Sequence, residues 1–216
     1  ETYSVAQWRK DVEAAIADAL SQSLKPVLVG GTMMYFHALM YGLDELPSSD
    51  PAVRQAIEER AAAEGWEALH REMKALDPAW AKKVHENDRQ RISRAWEIYT
   101  MSQKTPSAQF NPVKECSDKY EPILITAPDR ALLHARIEQR LLQMMDGGFA
   151  DEVIRLYKRG DLNSQMPSMR CVGYRQLWRY ASGEESYDEA VQKAIYATRQ
   201  LAKRQLTWQS RWPQAQ

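Results

Sequence analysis

Two arginines, Arg136 and Arg140, are the side chains of this sequence that best suit the binding of a phosphate group. Residues four apart lie on the same face of a helix, so this pair projects together, whereas Glu138 between them does not share that face. A guanidinium group binds phosphate oxygens through two parallel N–H groups, which a lysine ammonium does not reproduce. The pair therefore suits a phosphate-rich ligand, although a solvated helix face has the same pattern.

A glycine pair ends the apolar run in the segment "KPVLVGGTMMYFHAL", residues 25–39. Gly30 and Gly31 allow a backbone to approach a ligand closely, and Thr32 adds a hydroxyl group near the start of a predicted helix. No lysine follows the glycines, and the phosphate-loop pattern G-x-x-x-x-G-K-[ST] is absent from the sequence. A ligand site and a simple tight turn between a strand and a helix both explain these residues.

Three clusters of basic residues could bind nucleic acid. Positive charge suits phosphates, while aromatic rings and guanidinium planes suit unstacked bases. Tryptophans at helical spacing are also typical of a protein core, so each cluster alone is a weak signal. The clusters are Arg89, Arg91 and Arg94; Arg170, Arg175 and Arg179 around Cys171–Tyr174; and Lys203, Arg204 and Arg211 beside Trp208 and Trp212. Residues 190–216 contain no acidic residue, which strengthens the third cluster.

The remaining composition excludes several classes of chemistry. There is no glycine-flanked serine nucleophile, no CxxC and no HExxH motif. A hydrolytic or redox function therefore has no support from the sequence motifs. The four histidines are dispersed, and Cys116 and Cys171 lack metal-type spacing, so no metal site is predicted from protein ligands. The two cysteines favour a reducing compartment, and no apolar run approaches the roughly 20 residues that cross a bilayer. We therefore expect a cytoplasmic protein without a membrane partner.

The predicted elements that would position these residues occur in the order of helices and strands typical of an α/β fold. Residues 26–30 and 122–126 are continuously apolar, which is typical of strands buried in a parallel sheet. Helical spacing and capping residues predict helices before and after each strand. No strand signal occurs between residues 44 and 118, where apolar residues recur only at helical spacing. The fold class predicted is thus α/β, a partial parallel sheet with a mainly helical insertion and a helical C-terminal region.

The predicted organisation has three parts. Residues 1–43 form part of the α/β core, residues 44–118 form the helical insertion, and residues 119–216 complete the core with C-terminal helices. Two strands do not make a stable buried parallel sheet by themselves. Since the sequence also begins at Glu1 rather than at methionine, we expect the chain to be a fragment that lacks the first strands of its sheet.

Six segments, in this order, resemble the bacterial tRNA dimethylallyltransferases, also called tRNA isopentenyltransferases. The resemblance covers nearly the whole chain, and the fifth and sixth segments are the most specific. The segments are "VLVGGTMMYFHALMYGL", "DPAVRQAIEER", "NDRQRISRAWEIYTMSQKTPS", "RIEQRLLQMMDGGFADEV", "PSMRCVGYRQLWRY" and "ATRQLAKRQLTW".

The resemblance implies a P-loop-type, nucleotide-binding α/β domain and a defined reaction. A dimethylallyl group would move from dimethylallyl diphosphate to the exocyclic N6 amine of the adenosine 3′ of the anticodon, flipped out of its stack. The implied partners are the tRNA anticodon stem-loop and dimethylallyl diphosphate. Mg²⁺ would be held mainly through the diphosphate and through an N-terminal segment that this chain lacks. We expect a monomer.

The resemblance also implies roles for individual residues. Arg140 matches the arginine on the diphosphate side of the reaction, with Arg136 as a weaker neighbour, and Thr32 matches a position beside the flipped adenosine. The remaining matches are contacts to tRNA. They are Arg54; Gln90, Arg91, Ile92, Ser93 and Arg94; Arg170, Cys171, Val172, Gly173, Tyr174 and Arg175; and Lys203, Arg204, Gln205, Leu206, Thr207, Trp208 and Gln209.

The largest departure of the chain from the family pattern concerns the phosphate-binding loop. The phosphate-binding loop with its lysine, and the segment with the aspartate thought to act as base, are absent, so we expect these residues alone to be inactive. Two alternatives stay open from the residues: a nucleoside or nucleotide kinase of the same P-loop lineage, and a non-catalytic RNA-binding module. ATP binding without tRNA binding would favour the first, and salt-dependent tRNA affinity without catalysis would favour the second.

Overall fold

The regular structure of the residues described below is α-helical. The computed structural model describes residues 3–44, 46–110, 116–127, 129–210 and 212. Within those ranges the helices are α1 (Val5–Ser21), α2 (Met33–Tyr41), α3 (Pro51–Glu64), α4 (Trp66–Leu76), α5 (Pro78–Ala81), α6 (Arg89–Ser102), α7 (Pro106–Gln109), α8 (Arg130–Asp146), α9 (Phe149–Lys158), α10 (Tyr174–Ala181) and α11 (Tyr187–Gln209). Arg211, which belongs to the third basic cluster, lies outside the described residues.

The predicted parallel sheet is wrong. Neither residues 26–30 nor residues 122–126 form a strand, and the described residues contain no sheet. Val29 and Ile125 are 91% and 86% exposed. An apolar, β-branched run has the propensity for a strand, but a strand exists only where a neighbour pairs with its backbone N–H and C=O groups. Among the described residues, no backbone group bonds to the backbone of either segment, so the propensity is not realised.

The helix predictions are confirmed because their signals are local. Ser4 caps α1 by accepting a hydrogen bond from the backbone N–H of Gln7 at 3.1 Å. Asp50 caps α3 in front of Pro51, and Asp129 caps α8. At α11, Ser186 and Glu189 form the predicted capping box. Each signal acts within one turn of the chain, where tertiary contacts are not needed to satisfy it.

The described chain divides into two compact units. The first, called the terminal unit here, comprises Glu1–His37 and Asp118–Gln216; the second, the middle unit, comprises Ala38–Ser117. The predicted assignment of residues 1–43 and 119–216 to a core and of residues 44–118 to an insertion stays a prediction. No helix of the described residues is both long and apolar enough to cross a membrane.

Each unit has its own apolar core. In the terminal unit, helices α8 to α11 pack around a cluster that includes Leu141, Val153, Leu177 and Ile195. In the middle unit, α3, α4 and α6 enclose a cluster that includes Leu69, Met73 and Ile92, all three fully buried. Burial of such side chains is the main source of stability of each unit, and these cores hold the surface helices that carry the candidate site residues.

Candidate functional site

The paired arginines of α8 are available to a ligand. Arg136 and Arg140 are both exposed, and neither guanidinium has an ion-pair or hydrogen-bond partner within the described ranges. The acid between them, Glu138, points to another face and accepts a hydrogen bond from Arg199 of α11, with 2.7 Å between Nη2 and Oε2. Because Arg199 engages this carboxylate, the two arginines keep their positive charge uncompensated, as a phosphate-binding pair requires.

The glycine loop is tied to α11. The side-chain amide of Gln205 donates a 2.9 Å hydrogen bond to the carbonyl oxygen of Gly31. A Cβ atom on Gly31 would lie 2.4 Å from that amide nitrogen, so glycine permits this close approach. Thr32 is exposed beside this contact, and its carbonyl accepts from the N–H of Tyr35 at the start of α2. The structure therefore brings Thr32 next to the predicted tRNA contacts of α11, a proximity between residues 174 apart in sequence.

The Arg170–Arg175 segment separates into exposed and internal residues. Arg170, Cys171 and Arg175 are exposed, whereas Gly173 is buried and Val172 and Tyr174 are half-buried. Gly173 has φ +95° and donates its N–H to the side chain of Gln176 at 2.9 Å. The interior residues thus shape the turn, and the two arginines are displayed by it.

Tyr174 anchors this turn to α9. Its hydroxyl donates to the carboxylate of Glu152, and its ring meets Phe149 edge-on, with 5.1 Å between ring centroids. The hydrogen bond to Glu152, with burial, raises the pKa of Tyr174. Tyr174 therefore stays a neutral hydrogen-bond donor at physiological pH, and its observed contacts are internal.

Residues 203–209 of α11 present a mixed basic and aromatic surface. Lys203, Arg204, Thr207 and Trp208 are exposed, while Gln205, Leu206 and Gln209 are half-buried. The rings of His37 and Trp208 meet in an edge-to-face arrangement, with centroids 6.0 Å apart. Together these exposed side chains combine charge for phosphates with a ring for a base.

A groove of about 270 Å³ lies between α8 and the C-terminal part of α11. None of its lining residues in the described chain is acidic, and two of them, Arg130 and Lys203, are basic. The lining residues are Arg130, Leu133, His134, Ala202, Lys203, Leu206, Thr207 and Ser210.

In the middle unit, the predicted tRNA residues of α6 also separate by burial. Gln90 and Arg91 are exposed, and Arg91 pairs with the helix cap Asp88 at 3.4 Å. Ile92 is fully buried in the apolar core of the unit, and Ser93 is buried beside it in the chain. The exposed N-terminal turn of α6 is the part that can meet a ligand.

Sequence reasoning missed Glu97, which organises Arg54 and Arg94. Its side chain is fully buried, and both carboxylate oxygens are occupied. One accepts from the Ser49 hydroxyl at 2.6 Å and the Asp50 N–H at 3.1 Å; the other accepts from Arg94 at 2.6 Å and Arg54 at 3.3 Å. The signal in the sequence is an acid on the apolar face of α6, three residues after an arginine.

Glu97 is charged in the folded protein. Burial acts to raise its pKa, but hydrogen bonds from Ser49 and Arg94 and the charges of Arg94 and Arg54 outweigh burial, so the pKa lies below its ordinary range. Asp77 is similar. Burial acts to raise the pKa of Asp77, and hydrogen bonds from the backbone N–H groups of Ser107 and Trp80 lower it overall.

These two carboxylates predict acid sensitivity of the middle unit. In an unfolded chain their pKa values are about 4.3 for Glu and about 3.9 for Asp. Because folding lowers both pKa values, their contribution to stability is present above those values and is lost as the pH falls through the folded pKa values. The melting temperature should therefore fall steeply below about pH 4. Thermal melts from pH 7 to pH 2 measure this dependence. In Asp77→Asn the melting temperature should fall less steeply as the pH is lowered. An equally steep fall of the melting temperature in Asp77→Asn would contradict the contribution of Asp77 to this pH dependence.

The described residues offer no protein cage for a metal ion. No group of three or more histidine, cysteine, aspartate or glutamate side chains comes together in them.

Comparison with known proteins places the chain among transferases. The family model described as IPP transferase matches residues 1–212. A solved tRNA isopentenylpyrophosphate transferase of Bacillus halodurans is 29% identical, and the match covers 100% of this chain and 66% of that one with a TM-score of 0.64. A tRNA delta(2)-isopentenylpyrophosphate transferase of Staphylococcus epidermidis is 28% identical, with 96% and 67% covered and a TM-score of 0.56.

A eukaryotic dimethylallyltransferase acting on tRNA shares the fold. The TM-score is 0.73 at 24% identity, and the match covers 96% of this chain and 53% of that one. The chain thus spans 66%, 67% and 53% of the lengths of these three proteins.

Proposed function

Because this chain belongs to the IPP transferase family, we propose that the protein modifies tRNA by prenyl transfer. A dimethylallyl group passes from dimethylallyl diphosphate to the exocyclic N6 amine of the adenosine 3′ of the anticodon. The observation that carries this proposal is the family match over residues 1–212. The two bacterial relatives named as tRNA isopentenylpyrophosphate transferases support it.

The reaction is a displacement at an allylic carbon. The N6 lone pair forms a bond to the terminal allylic carbon, the carbon–oxygen bond to the diphosphate breaks, and its electron pair leaves with the diphosphate. The amine then loses one proton to a base. Negative charge therefore develops on the leaving oxygen, and fixed positive groups directed at that oxygen accelerate the step.

In this proposal Arg140 supplies that positive charge, with Arg136 one helical turn away. Both guanidinium groups are exposed and unpaired within the described part of α8, so a diphosphate does not have to displace an internal carboxylate. Thr32, which is exposed, faces the acceptor adenosine. Mg²⁺ would be held mainly through the diphosphate and, when bound, would neutralise part of its negative charge.

The tRNA anticodon stem-loop contacts basic surfaces on both units. In the terminal unit these are the exposed residues within 170–175 and within 203–209 of α11, and in the middle unit they are Arg54, Gln90 and Arg91. Arginine and lysine position the phosphate backbone, and an exposed ring such as Trp208 stacks on an unpaired base. A tRNA substrate is consistent with a cytoplasmic site of action.

The test is a prenylation assay with the natural full-length protein. Incubation with dimethylallyl diphosphate, Mg²⁺ and unmodified tRNA should add one dimethylallyl group per tRNA, detected by mass spectrometry of nucleosides. A matched tRNA with guanosine in place of the target adenosine should remain unmodified. Absence of prenylation would overturn the proposal. Phosphoryl transfer from ATP would then support a kinase, and salt-dependent tRNA binding alone would support an RNA-binding module.

A further inference from the structure

The buried carboxylate of Glu97 joins three parts of the middle unit. Through Ser49 and Asp50 it holds the chain just before α3, through Arg54 it holds the first turns of α3, and through Arg94 it holds its own helix α6. A carboxylate has about four lone-pair sites, and four donors occupy them here. Glu97 therefore has no acceptor capacity left for a ligand, and its action on any ligand is indirect.

The two arginines bound by Glu97 are not equivalent. Arg94 uses one terminal nitrogen for Glu97 and the other for the carbonyl oxygen of Pro47, both at 2.6 Å. Its side chain is only 33% exposed. Both terminal nitrogens of Arg94 thus donate to acceptors within the unit, so Arg94 stabilises the chain around residue 47.

Arg54 is held by one contact and remains open to solvent. Only its Nη2 atom contacts Glu97, at 3.3 Å, and the side chain is 50% exposed. Its Nε and Nη1 atoms have no partner in the described part of the middle unit. A guanidinium held at one corner, on a side chain that is half exposed, is pre-organised to offer its remaining donors to one phosphate group.

We propose that Glu97 is a positioning residue, which orients Arg54 toward a phosphate of the tRNA backbone while Arg94 serves as an internal brace. This inference rests on the proposed tRNA substrate. It reassigns Arg94 from an RNA contact to a support, and it makes Arg54 the arginine of this network that meets RNA. The net charge of the three side chains is one positive unit, which Arg54 presents at the surface.

Glu97→Gln tests the proposal because it keeps the shape of the side chain. One amide oxygen can accept only part of the four hydrogen bonds, and the amide N–H₂ group faces guanidinium or hydroxyl donors. The matched control is Asp77→Asn, a buried acid of the same unit that accepts backbone N–H groups from Trp80 and Ser107 but holds no arginine. Melting temperatures of all variants allow assays at equal folded fractions.

The measurement is tRNA affinity and steady-state kinetics of the natural full-length protein across a range of salt concentrations. Arg54→Ala should weaken tRNA binding about tenfold and lower the salt slope by about one phosphate contact. Glu97→Gln should weaken binding about fivefold or more and lower the salt slope in the same direction. In the Arg54→Ala background the effect of Glu97→Gln should fall below about twofold, since the two act through one contact. The KM for dimethylallyl diphosphate should stay constant.

Three results would overturn the inference. These are an unchanged tRNA affinity in Glu97→Gln, an equal loss in Asp77→Asn at the same folded fraction, or losses that multiply in the double variant. Failure of the proposed function is distinguishable, because the unaltered protein itself would then fail to prenylate tRNA. If the unaltered protein prenylates tRNA and Glu97→Gln leaves tRNA affinity unchanged, only the role of Glu97 is rejected.

Discussion

Replacing Arg140 by alanine is expected to lower kcat for dimethylallyl transfer by about 10²–10³-fold while leaving tRNA affinity unchanged. The reason is the charge that develops on the departing diphosphate. Arg140 is exposed on α8, and Arg199 engages the nearby carboxylate of Glu138, so the guanidinium is free for this role. Single-turnover rates with saturating tRNA and dimethylallyl diphosphate in the natural full-length protein measure the effect.

Two companion variants make the Arg140 experiment specific. Arg136→Ala lies one turn earlier on the same face, has similar exposure, and should cost far less than Arg140→Ala. Arg140→Lys keeps the charge but loses the paired N–H geometry and should recover part of the rate. If Arg140→Ala instead weakened tRNA binding at an unchanged single-turnover rate, Arg140 would be a contact to the RNA backbone.

Replacing Gly173 by alanine is expected to destabilise the terminal unit by about 2–4 kcal/mol. Two causes combine. Gly173 has φ +95° and ψ −65°, a region that residues with a Cβ atom rarely adopt, and an added Cβ would lie 3.1 Å from the ring of Phe149. That ring is buried in the core of the unit, so it has little room to move. Urea unfolding of the natural protein measures the loss.

Gly160→Ala is the matched control for this second prediction. Gly160 also has positive φ, at +77°, but a Cβ there would meet no atom within 4 Å. Its substitution should cost about 1–2 kcal/mol from backbone strain alone. Equal losses in the two variants would show that the contact with Phe149 does not contribute. A Phe149→Leu background should reduce the loss from Gly173→Ala, since the smaller side chain removes the close ring atoms.

Gly173→Ala is also expected to affect tRNA affinity. Arg170 and Arg175 flank the turn that Gly173 and Tyr174 hold against α9. A distorted turn would redirect both guanidinium groups without removing either charge. We therefore infer that Gly173 and Tyr174 position Arg170 and Arg175 through packing, without contacting RNA themselves.

Much of the helical structure could be predicted from local signals. Ser4, Asp50, Asp129 and Ser186 each cap a helix in the predicted place, because a cap is satisfied within one turn of chain. The predicted strands failed for the converse reason. Residues 26–30 and 122–126 have strand propensity, but a strand depends on partners elsewhere in the chain, and the described residues supply none.

The candidate site was predictable in its residue types and less so in its arrangement. Spacing alone placed Arg136 and Arg140 on one exposed face, because helical geometry determines it. Burial was not predictable in the same way. Ile92 and Ser93 are buried directly after the exposed Arg91, and Gly173 is buried within three residues of the exposed Arg170 and Arg175. Only packing against other parts of the chain determines that division.

The sequence by itself determined the family, the helices and the chemical character of the basic surfaces, since these depend on residue identity and near neighbours. The tertiary structure alone decided which arginines are free. Glu97 binds Arg94 internally and leaves Arg54 open, Glu138 is paired with Arg199 across 61 positions, and Gln205 meets Gly31 across 174. These contacts join residues far apart in the chain, and a hydrogen bond or ion pair between distant residues forms only when the packed helices bring both partners within about 3 Å.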